Sequence, residues 1–212
     1  MTITDFLPTL CDPEGEDKFN SPFESQGYWV ATDRKIAVII KCEDMPLLGY
    51  PHRDIKIDIL LNNNSNMNVS FSAKELSAKL IPDLLDEYDE SDVKTCTECD
   101  GEGDIECECC GHTYECPECN GDGKIGTEIP TGNKYPNPDK LFTLFKDVYK
   151  YRYLNNIVQL AEIMGTDEIQ CFNSEPYKPL VAKVGCVSVV IMGHTNPYDL
   201  ETTFIDLTTK PL

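Results

Sequence analysis

The chain is short of basic residues and histidines, and it has no long apolar run. Its 212 residues include 18 Lys and Arg against 37 Asp and Glu, with three His and a formal net charge of −19. The longest apolar segment, residues 184–192, is too short to cross a bilayer and predicts a buried strand. Residues 1–6 show no basic region and no apolar run, so we expect neither a secretory signal nor a membrane partner.

The sequence also lacks catalytic signatures. No metal-hydrolase spacing joins His52, His112 or His194 to carboxylates. It contains neither a phosphate-binding GxxxxGK[ST] motif nor a nucleophile elbow. We therefore expect that the protein is not an enzyme.

Cysteine is present in an uneven distribution. Seven of the eleven cysteines lie between Cys96 and Cys119, and the other four are scattered in apolar or loop contexts. This clustering is typical of thiolate–metal binding rather than of a secreted disulfide framework. A reducing cytoplasm is the expected location.

Two CxxCxGxG units lie inside that cluster. The first is CTECDGEG, which begins at Cys96, and the second is CPECNGDG, which begins at Cys116. A CxxC turn supplies two thiolates at the separation that tetrahedral zinc requires, and the glycines let the backbone turn back toward the sulfurs. The spacing predicts one structural zinc ion.

The cysteines between the two units leave several alternatives open. Cys107, Cys109, Cys110 and His112 would form a second site, would act as alternative ligands, or would bind no metal. Four donors are needed for zinc, and the fourth is unassigned unless Cys109 serves. A catalytic redox role for the CxxC pairs is the other functional interpretation.

The negative charge is concentrated around the cysteines. Between Asp83 and Asp122 there are fifteen acidic residues and one basic residue, Lys94, so this region carries −14. It is either a solvated surface or a binding site for a basic partner. Because phosphate binding depends on Lys and Arg, any DNA contact would need another surface.

The remaining pattern predicts an α+β body with the cysteine module inserted into it. We expect a loosely ordered lead-in over residues 1–26, a body formed by 27–94 and 127–212, and a zinc-binding insertion over 95–126. Two apolar runs around a polar turn predict a hairpin or a bent strand over 28–40, and period-two alternation predicts strands at 55–59 and 67–71. Three further strands are predicted near 169–171, 180–184 and 186–192. Helices are predicted after Ser72, over 139–151, and onward to Gly165, with a loop over 131–138.

Residues 95–126 resemble the cysteine-rich zinc finger of DnaJ co-chaperones in their repeated CxxCxGxG units. Only two units are complete here and the chain has no His-Pro-Asp motif, so the module is most similar to the single-zinc, anti-TRAP type of this finger. The resemblance implies that one zinc is held by four thiolates. These are Cys96, Cys99, Cys116 and Cys119.

The flanking segments weakly resemble bacterial DNA polymerase sliding clamps. The similarity is carried by YWVATDRKIA from Tyr28, FSAKELSAKL from Phe71, KYPNPDKLF from Lys134, and the segments from Tyr153, Tyr177 and Val187. It implies a clamp-like body in which helices pack on antiparallel sheets and duplex DNA is contacted by basic residues. Lys146, Lys150 and Arg152 are the candidates for that contact, and a solvated helix face is the alternative.

Two functional hypotheses follow, and a third is weaker. The first is a non-enzymatic, zinc-binding, clamp-like protein that acts as a DNA replication accessory or as a factor that mimics or modulates a clamp. The second is a DnaJ-like zinc module that binds a protein partner on an unrelated body. The third is a thiol oxidoreductase. An oligomer is compatible with the first, because the chain is shorter than a three-domain clamp protomer.

Overall fold

The computed structural model describes residues 1–14, 19–45, 49–57, 69–89, 92–107, 109–126, 129–145, 147–173, 179–193 and 201–211. The chain divides into two compact units. Unit 1 combines Met1–Pro82 with Pro138–Leu212, and unit 2 is Asp83–Asn137. The described residues mix helices with mostly antiparallel sheets, as the sequence predicted.

The elements of unit 1 come from both ends of the chain. The first part contains α1 (Ile3–Phe6), a 3₁₀ turn (Leu7–Leu10), β1 (Phe23–Ser25), β2 (Tyr28–Thr32), β3 (Ile36–Lys41), β4 (Val69–Ser72) and α2 (Ala73–Lys79). Unit 2 contains β5 (Leu84–Asp89), β6 (Lys94–Thr95), β7 (Asp104–Glu106), β8 (Thr113–Glu115), β9 (Lys124–Ile125) and β10 (Ile129–Pro136). The second part of unit 1 contains β11 (Leu141–Leu144), β12 (Asp147–Lys150), α3 (Tyr151–Ile163), β13 (Glu168–Asn173), β14 (Leu180–Val184), β15 (Val187–Ile191), β16 (Thr203–Ile205) and β17 (Lys210–Pro211).

An eight-stranded antiparallel sheet forms the centre of unit 1. Its strand order is β1-β2-β3-β15-β14-β13-β4-β17. Of the two alternatives predicted over 28–40, the hairpin is confirmed, and so are the three strands after Gly165. A smaller sheet has the order β12-β11-β16, in which β11 and β16 run parallel.

Helix α3 has an apolar face at the spacing that the sequence predicted. Leu154, Ile157 and Leu160 are fully buried, and they belong to one hydrophobic cluster with inward-facing residues of the large sheet, such as Val38 and Val189. Burying this face removes apolar surface from water, which is the main source of stability for the unit. All the buried residues of this cluster belong to unit 1.

For the described residues 1–14 and 19–26, the expectation of a loosely ordered lead-in over residues 1–26 was wrong. Thr2 caps α1 by accepting a hydrogen bond from the Asp5 N–H, and Phe6 and Leu7 are buried in the main cluster. The acidic and proline-containing surroundings concealed an apolar pattern at Phe6, Leu7 and Leu10, which the 3₁₀ turn directs into the core.

Two predictions around residues 131–151 were also wrong. Residues 141–144 and 147–150 form the paired strands β11 and β12 rather than a helix, because Phe142 and Leu144 alternate with less buried neighbours and Phe145 turns the chain at φ +58°. The predicted loop at 131–138 lies mostly in β10, which pairs with β5 across an irregularity between Pro130 and Lys134.

Helix α2 begins where the sequence predicted and ends sooner. The Ser72 Oγ accepts a hydrogen bond from the Glu75 N–H at 3.2 Å, and the helix ends at Lys79. Residues 55–57 are described without a strand, and the expected strand residues 58, 59, 67 and 68 lie outside the described residues.

Unit 2 is wider than the predicted insertion over 95–126. Strands β5 and β10 flank the cysteine region and pair with each other, so the unit extends from residue 83 to residue 137. Every residue of these two strands is exposed. Among the described residues, no helix is both long and apolar enough to span a membrane.

Candidate metal centre

The two CxxCxGxG motifs, which both lie in unit 2, fold into matching turns. In the first, the Gly101 N–H donates to the Cys96 carbonyl at 3.0 Å; in the second, the Gly121 N–H donates to the Cys116 carbonyl at 3.2 Å. The residue before each glycine adopts a left-handed conformation, with φ +49° at Asp100 and +52° at Asn120. Asn and Asp tolerate this conformation better than other residues with side chains. The repeat in sequence is therefore a repeat in backbone structure.

The last glycine of each unit lets the two turns approach each other. Gly103 and Gly123 have φ values of +82° and +70°. A Cβ atom at Gly103 would lie 2.2 Å from the Gly121 carbonyl oxygen, and one at Gly123 would lie 2.2 Å from the Gly101 oxygen. Only glycine fits at these two positions, because any side chain would collide with backbone of the other turn.

Backbone hydrogen bonds join the turns in the same reciprocal way. The Cys96 N–H donates to the Gly123 carbonyl at 2.9 Å, and the Cys116 N–H donates to the Gly103 carbonyl at 2.7 Å. Each CxxC pair is thus hydrogen-bonded to the last glycine of the other CxxCxGxG motif. This arrangement brings the four thiols together.

The four sulfurs have the separations expected of zinc ligands. Cys96 Sγ lies 3.8 Å from Cys116 Sγ, and Cys99 Sγ lies 3.7 Å from Cys119 Sγ. A zinc ion that binds four thiolates at about 2.3 Å holds neighbouring sulfurs ~3.8 Å apart. All four cysteines are buried, and their sulfurs lie within 4.8 Å of one another. The group could therefore hold a metal ion, and its dimensions fit zinc.

Backbone amides support the second cysteine of each pair. The Gly103 N–H donates to Cys99 Sγ at 3.3 Å, and the Gly123 N–H donates to Cys119 Sγ at 3.1 Å. Burial raises the pKa of Cys96 and of Cys119. Burial also opposes ionisation of Cys99, but amide hydrogen bonds from Gly103 and Gly101 and its thiol neighbours outweigh that effect and lower its pKa. A dication at the centre would favour the thiolate form of all four.

The donor set is closed. Four protein thiolates complete a tetrahedron and leave no position for a water molecule or a substrate, as in structural rather than catalytic zinc sites. The cluster of buried residues around the site consists of the four cysteines, with Ile105 packed against them. The metal centre would thus be the core of its own region.

The structure brings three of the four residues of the predicted second site together. Cys107, Cys109 and Cys110 have sulfurs within 4.8 Å of one another, so this group too could hold a metal ion. His112 is not part of the group; its carbonyl accepts a hydrogen bond from the Cys107 N–H at 2.9 Å. Cys107 is half-buried, whereas Cys109 and Cys110 are exposed.

The candidate DNA-binding residues do not lie on one helix face as predicted. Lys146 lies outside the described residues. Lys150 ends β12 and precedes α3, and Arg152 is in the first turn of that helix. Both are ion-paired with Asp139, at 2.8 Å and 3.3 Å, and the hydrogen bond from Lys150 holds the pKa of Asp139 below its usual value.

A third cation accompanies this pair. Lys35 lines a cavity of about 240 Å³ together with Lys150 and Arg152. Sequence reasoning missed Lys35, because the β2–β3 turn is more than a hundred residues away in the chain. Lys35 precedes β3 of the large sheet and Lys150 ends β12 of the smaller sheet, so tertiary packing within unit 1 brings them to the same cavity.

The remaining histidines show no catalytic arrangement within the described residues. His52 is exposed, and its Nδ1 contacts the carboxylate of Glu24. His194 lies outside the described residues.

Comparison with known proteins identifies structural neighbours only. No protein-family model matches the chain, and no curated protein matches it. A Helicobacter pylori beta clamp bound to a DNA ligase peptide gives a TM-score of 0.47 at 11% identity, over 91% of this chain and 62% of that one. The Bacillus subtilis DNA polymerase sliding clamp gives 0.46 at 10% identity, over 91% and 63%. A Pseudomonas aeruginosa DNA polymerase III subunit beta gives 0.42 at 11% identity, over 89% and 62%.

The chain spans less than two thirds of the length of these clamp structures. At these identities and TM-scores, the likeness carries no inference about activity or partners. The resemblance of residues 95–126 to a DnaJ-type finger has no family match beside it and stays a prediction from sequence.

Proposed function

We propose that this is a non-enzymatic zinc-binding protein in which one zinc ion folds unit 2. The ligands are Cys96, Cys99, Cys116 and Cys119. The observation that carries the proposal is the pair of 3.7–3.8 Å separations between buried sulfurs of the two CxxCxGxG motifs. These separations match the edge of a zinc–thiolate tetrahedron.

The composition of unit 2 explains why a metal would be needed. Its described residues form no buried apolar cluster other than the one made by the four cysteines. A unit of this size without an apolar core cannot offset the conformational entropy lost on folding. Zinc binding would supply the missing free energy, since ligands that are assembled only in the folded state couple metal binding to folding.

The folded unit 2 would present an acidic surface to a protein partner. It contains sixteen acidic residues and three lysines, so it carries −13 of the net charge of −19. Exposed Leu84, Tyr88 and Ile129 on the β5–β10 ribbon add apolar contact area. Acidic groups around apolar side chains suit a partner with a basic binding face. They do not suit nucleic acid, whose phosphates would be repelled.

Metal analysis of single variants tests the zinc proposal. We expect about one zinc per chain in the wild type and in Cys42→Ser, which changes a half-buried thiol of unit 1. Cys96→Ser should lose most of its zinc after dialysis against a weak chelator, because three thiolates and a hydroxyl bind zinc much more weakly. Equal zinc contents in Cys96→Ser and Cys42→Ser would contradict the proposal.

A second candidate is a clamp-like role in DNA replication, carried by unit 1. It rests on the sequence resemblance of the flanking segments and on the three cations around one cavity: Lys35, Lys150 and Arg152. The pairing of two of them with Asp139 weakens this basic surface. An accessory that contacts duplex DNA would do so here.

A binding measurement at two salt concentrations tests the clamp-like role. Duplex binding that falls steeply with salt and disappears in Lys150→Glu plus Arg152→Glu would support it. Lys183→Glu, which changes an exposed lysine of β14, is the matched control. Binding that is absent, or that is equally weakened by the control, would exclude this surface.

A further inference from the structure

The end of the β7–β8 hairpin holds three thiols that the zinc centre does not use. The hairpin is closed by backbone hydrogen bonds: the Gly111 N–H donates to the Cys107 carbonyl at 2.8 Å, and the Cys110 N–H donates to the same carbonyl at 3.3 Å. These bonds fix the turn that carries Cys107, Cys109 and Cys110. Their sulfurs are therefore held together by the backbone.

The sulfur separations distinguish this group from the zinc centre. Cys107 Sγ lies 3.0 Å from Cys109 Sγ, whereas the sulfur pairs across the zinc centre, Cys96–Cys116 and Cys99–Cys119, are 3.8 and 3.7 Å apart. A disulfide bond joins sulfurs at about 2.05 Å. The Cys107–Cys109 pair is thus too close for neighbouring ligands of tetrahedral zinc and needs to close by only about 1 Å to form a disulfide.

Exposure makes the pair accessible to small molecules. Cys109 is exposed and Cys107 is half-buried, in contrast to the buried zinc ligands. The Cys109 thiol and the backbone N–H groups of Cys109 and Cys110 lower the pKa of Cys107, while the Cys107 thiol raises that of Cys109. The lower pKa of Cys107 suits it to be the attacking thiolate, and the higher pKa of Cys109 suits it to be the thiol that resolves the mixed disulfide.

We propose that Cys107 and Cys109 form a reversible dithiol–disulfide site that is oxidised by low-molecular-weight disulfides. The Cys107 thiolate attacks one sulfur of the small disulfide, which forms a mixed disulfide and releases one small thiol. Cys109 then gives up its proton and attacks the Cys107 sulfur, which forms the Cys107–Cys109 bond and releases the second small thiol. Two electrons pass from the protein to the small molecule. The surrounding acidic residues favour an uncharged or cationic disulfide over an anionic one.

The sequence allows a direct map of this bond. A protease that cleaves after glutamate cuts after Glu106, Glu108 and Glu115, so it separates Cys107 from the fragment 109–115. The zinc-loaded protein is equilibrated with 2-hydroxyethyl disulfide and 2-mercaptoethanol, alkylated and digested, and the peptide masses are measured by mass spectrometry. We expect two fewer alkylated thiols, with residues 107–108 linked to 109–115 by a bond that dithiothreitol removes.

Two serine variants complete the test. Cys110→Ser is the matched control and should keep the 107–109 link, whereas Cys109→Ser should lower the oxidised fraction at least ten-fold. Zinc content reports whether each variant is folded. Because the fragment 109–115 carries both Cys109 and Cys110, the link that Cys110→Ser retains assigns the bond to Cys109. The proposal is overturned by a Cys109–Cys110 bond, by equal oxidation of Cys109→Ser through Cys110, or by no oxidation. It is also overturned by a second metal ion that protects these thiols from alkylation.

Discussion

At the residue scale, the glycines decide whether the two cysteine turns can meet. The CxxCxGxG spacing predicted a tight backbone, and both terminal glycines have left-handed φ values and lie against the opposite turn. The sequence could predict this much because each turn is local. It could not predict that Gly103 contacts Gly121 and that Gly123 contacts Gly101, because these contacts depend on how the two CxxCxGxG turns pair with each other.

Gly123→Ala should abolish zinc retention. Its Cβ would lie 2.2 Å from the Gly101 carbonyl oxygen, so the two turns would separate and the sulfurs would lose their tetrahedral spacing. Gly132→Ala is the control, since Gly132 has a similar φ of +80° but no atom within 4 Å of its Cβ position. The control carries only the backbone strain, on the order of 1–2 kcal/mol. Zinc per chain after dialysis against a chelator is the measurement, and equal loss in both variants would refute the role of the contact.

At the element scale, strong periodicity was a better guide than composition. Helix α3 follows from apolar residues at helical spacing, and the strands β2, β3, β14 and β15 follow from short apolar runs. The β11–β12 hairpin did not, because the sequence Leu-Phe-Thr-Leu supports helix and strand about equally until its cross-strand partners are known. Tertiary pairing overrides local propensity in such short apolar segments.

The N-terminal 3₁₀ turn should contribute strongly to the stability of unit 1. Leu7 is fully buried in the main cluster, so Leu7→Ala removes apolar contacts and leaves a cavity. We expect a loss of about 2–4 kcal/mol in the free energy of unfolding. Ile81→Ala, at a side chain that is 72% exposed in the same unit, should change it by less than about 0.5 kcal/mol. Urea unfolding of zinc-loaded protein makes the comparison, and similar midpoints for the two variants would contradict the docking of this turn.

Asp167 should make the start of helix α2 sensitive to acid. Its carboxylate accepts hydrogen bonds from the Lys74 N–H and the Ser72 Oγ, each at 2.9 Å. These bonds lower its pKa in the folded state, with the Lys74 amide as the larger cause. A lowered carboxyl pKa stabilises the fold above the ordinary value of about 3.9, and the contribution is lost as the pH falls through the folded value.

Asp167→Asn tests whether the contribution of Asp167 to stability falls as the pH falls. The variant should be less stable than wild type at pH 7, and the difference should shrink as the pH falls below about 4 and the wild-type carboxylate becomes protonated. Thermal unfolding across this pH range measures the difference, with Asp44→Asn, at an exposed carboxylate, as the control. A constant difference at every pH would show that the charge of Asp167 does not matter.

At the scale of the whole molecule, charge and core are divided between the two units. The acidic stretch around the cysteines was visible in the sequence, and the structure places it in a unit whose buried cluster consists of thiols. The pairing of Lys150 and Arg152 with Asp139 was not predictable, because it depends on the β11–β12 hairpin in place of the expected helix. The main apolar cluster belongs wholly to unit 1, so its stability should not depend on the metal.

Hydrogen exchange with and without a chelator tests most directly whether zinc folds unit 2. With zinc bound, the amides of Cys96, Gly103, Cys116 and Gly123 should be protected, because each donates a hydrogen bond within the metal centre. After the metal is removed, these amides should exchange at the rate of an unfolded chain, while those of α3 and β15 remain protected. Continued protection of the four amides in the metal-free protein would contradict the account.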